Sequence, residues 1–206
     1  MGMRMTLNAT PGPRDTRSSA PRQGGSRAKE VDLVTLPSRR RIEVRRGQIQ
    51  DIPLMLRLGE AALGVSLASE ATVARIAAAH PDALWSFWRR SRFVGGTAIL
   101  MLNAQGLAAL LADQIDLSDP PAAFFANPGE PPAAIYIWAM LGGAMASEGI
   151  AHVFVRLQRY PYEHSDLYGL PTTADGARFQ RSFGMRPVPG HPRSLHRYVR
   201  LANRVQ

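Results

Sequence analysis

The sequence has 206 residues, of which 45% are hydrophobic and 20% charged, and its formal net charge is +9. This apolar content is enough for one packed core of roughly 150 residues, so it excludes a chain that is disordered throughout. Cysteine is absent, which excludes a disulfide framework, a cysteine-ligated zinc site and a thiol nucleophile.

The excess positive charge is concentrated near the N-terminus. The first 41 residues carry nine basic and three acidic side chains, a net of +6, and the rest of the chain carries only +3. This segment is rich in Gly, Pro, Ser and Arg without apolar periodicity, so burial cannot offset the entropy of ordering it. We predict a disordered basic tail over 1–38 and a folded domain over 39–206. Because the domain itself is nearly neutral, no nucleic-acid partner is expected. All but one of the basic residues are arginine, as is typical of a GC-biased, bacterial-type coding background.

The first predicted elements of the domain are a strand and a helix. Polar and apolar residues alternate over 40–47, which indicates a half-buried strand. Asp51 followed by Pro53 is a typical helix start, since proline lacks only a donor that is unpaired there anyway. Gly64 is expected to end this helix.

A second helix is predicted from Ser69 to about Arg90, with a break at Pro81. In a helix, residues three apart share one face, so this prediction places Trp85 and Trp88 on the same face.

The remaining elements alternate regularly. A nearly continuous apolar run over 93–102 predicts a strand buried on both faces, and Gly95 and Gly96 within it indicate a bulge or a close backbone approach. The later predicted elements are a helix over 104–114, a loop, a central strand over 133–140, a helix over 144–159, a strand over 166–173, a helix over 174–183 and a strand over 195–201. This order predicts an α/β (α+β) domain with a mixed central sheet flanked by helices.

The second half of the domain resembles the GNAT family of N-acetyltransferases. The matching segments are IYIWAM, LGGAM, DLYGLPTT and ADGARFQRSFGMRP. In that family a central strand leads through a glycine-bearing loop into a helix, and a later short helix ends in an apolar-Gly-Phe step. The sequence 184–187, Gly-Met-Arg-Pro, stands where the family often has Gly-Phe-Arg-Pro. The opening RRIEVRRGQIQDIPLMLRL also resembles the family's first strand and helix.

The resemblance implies an acyl-CoA-dependent N-acyltransferase. Acetyl-CoA or a longer acyl-CoA would be the co-substrate, and a small-molecule or peptide amine would be the acceptor. Backbone N–H groups of the strand end would contact the oxyanion, and those of the glycine turn would surround the pyrophosphate at a helix N-terminus. The residues that the resemblance assigns to cofactor binding are Trp138, Ala139, Met140, Leu141, Gly142, Gly143, Ala144 and Met145.

The sequence departs from the family at three places. Leu141 stands where the phosphate loop usually has Arg or Gln, and Gln180 stands where the family has its general-acid tyrosine. Glutamine cannot protonate a leaving thiolate. The family's hairpin between its second and third strands is predicted to be replaced by a helix and a proline-rich loop. We therefore favour Tyr168 as the proton donor, over Tyr160, Tyr162 and His164. The alternative function is a catalytically degenerate binding or regulatory protein with this fold.

Two groups of residues have either a functional or a purely structural interpretation. Tyr136 and Trp138 either line an acyl pocket or belong to the core, and the two glycines at 142 and 143 form either the phosphate turn or a tight connection. No histidine has a partner at metal-ligand spacing, so we predict no metal site. We further expect a cytoplasmic protein without a membrane partner, and a homodimer is compatible with the sequence.

Overall fold

A seven-stranded sheet organises the computed structural model, which describes residues 42–64, 68–200 and 203. Its strands are β1 (Glu43–Arg46), β2 (Leu84–Arg89), β3 (Arg92–Leu102), β4 (Ala134–Leu141), β5 (Asp166–Gly169), β6 (Arg186–Pro187) and β7 (His196–Tyr198). Their order is β1-β2-β3-β4-β5-β7-β6, and only β4 and β5 pair in parallel. The predicted mixed α/β sheet is confirmed. The predicted tail, 1–38, lies outside the described residues.

Five α-helices flank the sheet. They are α1 (Ile52–Leu63), α2 (Glu70–Ala79), α3 (Ala104–Leu111), α4 (Ser147–Arg156) and α5 (Ala174–Ser182). Short polar side chains cap three of them: Ser69, Asn103 and Thr173 each accept a hydrogen bond from a backbone N–H in the first turn. Gly64 ends α1 in the left-handed conformation, with φ of 70°, as predicted. None of the described helices is long and apolar enough to cross a bilayer.

The segment predicted to continue the second helix is instead strand β2. Helix α2 ends at Ala79, shortly before Pro81, and the chain then pairs with β1 on one side and β3 on the other. Side chains alternate along a strand, so Trp85 and Trp88 lie on opposite faces of the sheet, not on one helical face. The helix prediction up to Arg90 is therefore wrong. A short aromatic run fits a helix or a strand equally well, and pairing with β1 and β3 makes this one a strand.

A tight turn joins β2 to β3. Arg90 and Ser91 have φ of 48° and 60°, the positive values that two-residue hairpin turns need to match the twist of their strands. The hairpin between the second and third strands is therefore present, and its predicted replacement by a helix is wrong.

The core lies on both faces of the sheet because β3 and β4 alternate apolar side chains to either side. Ile135 and Ile137 pack with Val153 of α4 on one face. Tyr136 packs with Leu110 of α3 on the other face. Met145 falls within the helix predicted over 144–159, but it lies in a 3-10 turn before α4, and its side chain is exposed.

Candidate functional site

The parallel strands β4 and β5 diverge halfway along β4. They pair from Ala134 to Ile137, opposite Asp166 to Gly169, and beyond this point β4 continues to Leu141 with β3 as its partner. After β5 the chain leaves the sheet through Leu170 and Pro171, and proline cannot donate to a ladder. The divergence opens a cleft of about 430 Å³, which is within the size range of small-molecule sites.

A β-bulge shapes the wall of this cleft. Ala98 of β3 lies opposite Ala139, but the next residue, Ile99, lies opposite Ile137, so Trp138 is the extra residue on β4. Bulges bend a strand and redirect its side chains and amides. Thr97 Oγ1 donates to the carbonyl of Ala139 at 2.7 Å.

Trp138 also ties a distant loop to the cleft. Its Nε1–H donates to the carbonyl of Leu117 at 2.8 Å, and both Leu117 and Ser118 line the cleft. The tryptophan is therefore part of the core and of the cleft at once, so the two interpretations of Trp138 are compatible.

The glycine turn follows Leu141 in the chain and leads to α4. Gly142 has φ of 112°, and a Cβ there would lie 2.6 Å from Ala146 Cβ and 2.7 Å from the carbonyl oxygen of Val94. The turn therefore requires glycine at this position. Gly143 differs, since a Cβ there would have no described atom within 4 Å. The turn also packs tightly on β3, where a Cβ at Gly95 would clash with the carbonyl oxygen of Leu141, the close approach that the sequence indicated.

Tyr136 and Arg193 bring polar atoms to the cleft. Tyr136 is buried, and burial raises the pKa of its phenol well above the ordinary value, although Arg193 and a hydrogen bond from the Leu170 amide oppose the shift. The hydroxyl of Tyr136 therefore keeps its proton at neutral pH and can donate it. Arg193 lines the cleft and forms an ion pair with Asp113.

Gln180 is the second polar side chain buried at the cleft. It is only 3% exposed, and its Oε1 has no hydrogen-bond partner among the described residues. Among the described residues that line the cleft, none is a carboxylate or an imidazole. The described part of the chain also contains no cluster of side chains that could hold a metal ion.

Solved structures of other proteins share this arrangement of strands and helices. The sequence matches no protein-family profile and no curated protein. Among solved structures it is similar to the GNAT-like decarboxylase GphF in complex with isobutyryl-CoA, at 18% identity and a TM-score of 0.50 over 70% of this chain and 72% of that one. It is also similar to the loading GNATL domain of CurA from Lyngbya majuscula, at 10% identity and a TM-score of 0.52 over 77% of this chain and 98% of that domain.

The chain has the GNAT fold. The predicted fold is thus confirmed. In the described residues it shows the seven-stranded sheet with one parallel pair, β4 and β5, which diverge.

Four of the eight predicted cofactor-binding residues line the cleft, and the other four, Gly142 to Met145, are not among the described residues that line it. Trp138, Ala139, Met140 and Leu141 line the cleft, and the turn 142–145 follows directly at the start of α4. Sequence reasoning missed the residues that loops contribute, Ser118 and Arg193 among them, because no local pattern marks a loop that reaches a distant cleft.

Tyr168, the predicted proton donor, is not among the described residues that line this cleft. It lies next to Tyr136 in the register of β4 and β5, is 3% exposed, and has the guanidinium of Arg197 over its ring at 5.8 Å. Burial raises the pKa of the Tyr168 phenol.

The alternative donors Tyr160, Tyr162 and His164 are likewise not among the described residues that line the cleft. Tyr162 donates to the carboxylate of Asp82 at 2.6 Å, in a separate buried cluster. Tyr160 and His164 have largely exposed side chains.

A small apolar cavity adjoins the cleft across β4. Its volume is about 30 Å³, and it lies between α1, α2 and the bulged half of β4. Trp138, Ala139 and Leu141 line both spaces, and Glu60 is the one charged residue among the described residues that line the cavity. A group bound at the bulge would therefore have space for a few apolar atoms behind it.

Proposed function

We propose that this chain is an acyl-CoA-dependent N-acyltransferase that acylates an amine. The observation that carries the proposal is the divergence of β4 from β5, which leaves the strand from Trp138 to Leu141 as an open edge that leads to the glycine turn. Unpaired backbone groups along this edge suit the amides of a pantetheine arm, and consecutive N–H groups at the start of α4 suit a pyrophosphate. The isobutyryl-CoA complex of the structurally similar GphF supports a CoA thioester as the ligand.

The proposed reaction forms one bond and breaks one bond. The amine nitrogen attacks the thioester carbonyl carbon, a C–N bond forms, and the C–S bond breaks as the tetrahedral intermediate collapses. The leaving thiolate takes up one proton, and the attacking nitrogen loses one. The β4 backbone near Trp138 or Ala139 would supply an N–H to the oxyanion, and the cleft would hold the two reactants together.

The proton for the thiolate has two tyrosine candidates. Tyr168 remains our predicted donor, and Tyr136 is the tyrosine that lines the cleft. Burial raises the pKa of both phenols, so both hold a proton at neutral pH. A general acid in reach contributes about 10²- to 10⁴-fold in rate. Single-turnover rates of Tyr168→Phe and Tyr136→Phe decide between them. Only removal of the true donor's hydroxyl should lower the rate while acyl-CoA affinity is retained.

The acceptor would enter the cleft as a neutral amine. The described residues of the cleft lining offer no carboxylate or imidazole to remove a proton from an ammonium group. The rate should therefore rise with pH up to the pKa of the acceptor amine. The small apolar cavity behind the bulge favours a short acyl group such as acetyl or isobutyryl.

Titration calorimetry and thermal unfolding with acetyl-CoA, isobutyryl-CoA and dodecanoyl-CoA test the binding step. A ligand that binds only the folded state adds about 2.7 kcal/mol to the free energy of unfolding at one hundred times its Kd. Release of free thiol with a panel of amines then tests the transfer. The absence of saturable binding by every thioester would overturn the proposal.

A catalytically degenerate binding or regulatory protein is the second candidate. Gln180 favours it, because this side chain occupies the cleft without a proton to give to a thiolate. Saturable acyl-CoA binding without thiol release, with any amine in the panel, would select this second function. Because GphF is a decarboxylase, release of carbon dioxide from a carboxylated acyl-CoA is measured in the same assay.

A further inference from the structure

The buried amide of Gln180 is an unused hydrogen-bonding group at the wall of the cleft. Its side chain is 97% buried, since only 3% is exposed, and its Oε1 has no partner among the described residues. Buried polar atoms in folded proteins almost always have a partner, so an orphaned one points to a partner that binds from outside. Since Gln180 lines the cleft, the cleft is where that partner would bind.

The fold keeps the amide in this place. A Cβ at Gly169 would lie 2.8 Å from Gln180 Nε2 and 3.5 Å from its Cδ, so the space for the amide exists because β5 ends in glycine. The backbone is held as well, since the carbonyl of Gln180 accepts from the amide of Met185 at 3.0 Å, just after α5.

The chemistry of the orphaned atom selects the kind of ligand group. A carbonyl oxygen accepts hydrogen bonds and carries no net charge, so it binds an N–H or O–H donor. A thioester has no such donor, and the pantetheine amides already have the open edge of β4 in the proposed function. The donor that remains is the attacking group of the acceptor, a neutral amine with N–H to give and its lone pair free.

We propose that Gln180 Oε1 accepts a hydrogen bond from the acceptor amine and directs the nitrogen lone pair at the thioester carbon. This inference rests on the proposed acyltransferase function and assigns the acceptor subsite to the α5 side of the cleft. Gln180 then binds the nucleophile, and the proton of the leaving thiolate comes from another group.

The test compares Gln180→Met, which keeps the shape and removes both polar atoms, with the matched surface control Gln158→Met. Gln158 is exposed, just after α4. We expect Gln180→Met to raise the acceptor KM about tenfold, with the Kd for acetyl-CoA within twofold of the parent value. Gln158→Met should change neither.

A second measurement does not depend on turnover. If Oε1 lacks a partner in the ligand-free protein, Gln180→Met should leave the melting temperature unchanged or raise it. A clear loss of stability would show that the amide is structural and would overturn the inference. So would an unchanged acceptor KM in an enzyme that binds acetyl-CoA and releases thiol. If the parent protein binds no acyl-CoA, the proposed function itself fails, and the inference fails with it.

Discussion

The guanidinium of Arg89 contacts the glycine turn, with its Nη1 lying 3.3 Å from the sulfur of Met145. Arg89 is the last residue of β2, and Met145 lies in the turn between β4 and α4. The sequence of that turn has no basic residue, whereas the fold brings one to it from the β2–β3 hairpin. A pyrophosphate at the turn would thus meet a positive charge from a distant part of the chain.

Arg89→Met should weaken CoA binding about tenfold, because hydrogen bonds to charged groups contribute about 1.5–3 kcal/mol. Titration calorimetry at two salt concentrations measures the effect, and the variant should show a shallower salt dependence. Acetyl-pantetheine, which lacks the pyrophosphate, should bind both proteins equally. Arg159→Met, an exposed change beyond the opposite end of α4, is the control, and equal losses in the two variants would contradict the assignment.

Gly143→Asp should abolish CoA binding in a protein that still folds. A Cβ at Gly143 would have no described atom within 4 Å, but the aspartate places a negative charge beside the proposed pyrophosphate. Thermal unfolding checks the fold, and calorimetry checks the affinity. Full affinity in the folded variant would show that the turn does not hold the phosphates.

Gly142→Ala, by contrast, should destabilise the fold by about 2–4 kcal/mol, since it combines an unfavourable φ with two close contacts. Gly129→Ala is the matched control, because Gly129 also has a positive φ, 87°, but open space around its Cβ. Denaturant unfolding of both variants separates the cost of the conformation from the cost of the contacts. Equal losses would show that packing against the turn does not matter.

Asp82 should contribute to stability far from the cleft. Its buried carboxylate pairs with Arg46 at 2.9 Å and Arg156 at 3.2 Å, and accepts from Tyr162 at 2.6 Å. Removing one partner of a buried pair costs about 3–5 kcal/mol, and because both arginines are partly exposed we expect about 2 kcal/mol for Asp82→Asn by denaturant unfolding. Asp175→Asn, in an exposed pair, should cost less than about 0.5 kcal/mol.

His80 should make the stability fall in mild acid. Burial lowers the pKa of His80 from its ordinary 6.5, and Arg46 and Arg156 lower it further, against the opposing charge of Asp82. Below pH 6.5 the His80 imidazole therefore binds a proton more readily in the unfolded chain than in the folded one. The free energy of unfolding falls as pH drops below 6.5, by up to about 1.4 kcal/mol per pH unit. His196 acts in the same direction, because burial also lowers its pKa.

His80→Asn should flatten this dependence, because asparagine does not titrate. The asparagine oxygen can still accept the hydrogen bond that the backbone N–H of Asp82 donates to His80 Nδ1 at 3.2 Å. Urea unfolding at pH 7.5, 6.0 and 5.0 measures the slope. His152→Asn, on an exposed position of α4, should keep the parent slope. An unchanged slope in His80→Asn would assign the acid sensitivity to other groups.

The sequence by itself determined the elements whose pattern is local. The apolar run of β4, the glycine turn after it and the end of α1 at Gly64 follow from side-chain alternation, from a positive φ and from a glycine cap. The start of α1 follows from Pro53 in its first turn, whereas the predicted cap Asp51 makes no capping hydrogen bond to the helix and accepts from the backbone amide of Gln48 instead. The order of these elements, with the GNAT resemblance, predicted the fold and the wall of the cleft from Trp138 to Leu141.

The tertiary structure decided what depends on distant neighbours. The aromatic segment at Trp85 suits a helix or a strand, and its pairing with β1 and β3 makes it a strand. Tyr136 and Tyr168 are both aromatic residues on adjacent strands, yet only Tyr136 is among the described residues that line the cleft. Arg193 reaches the cleft from a loop, and Arg89 reaches the glycine turn from a hairpin. Local periodicity fixes which face of an element is apolar, but the partner across that face is set by packing between segments far apart in the chain.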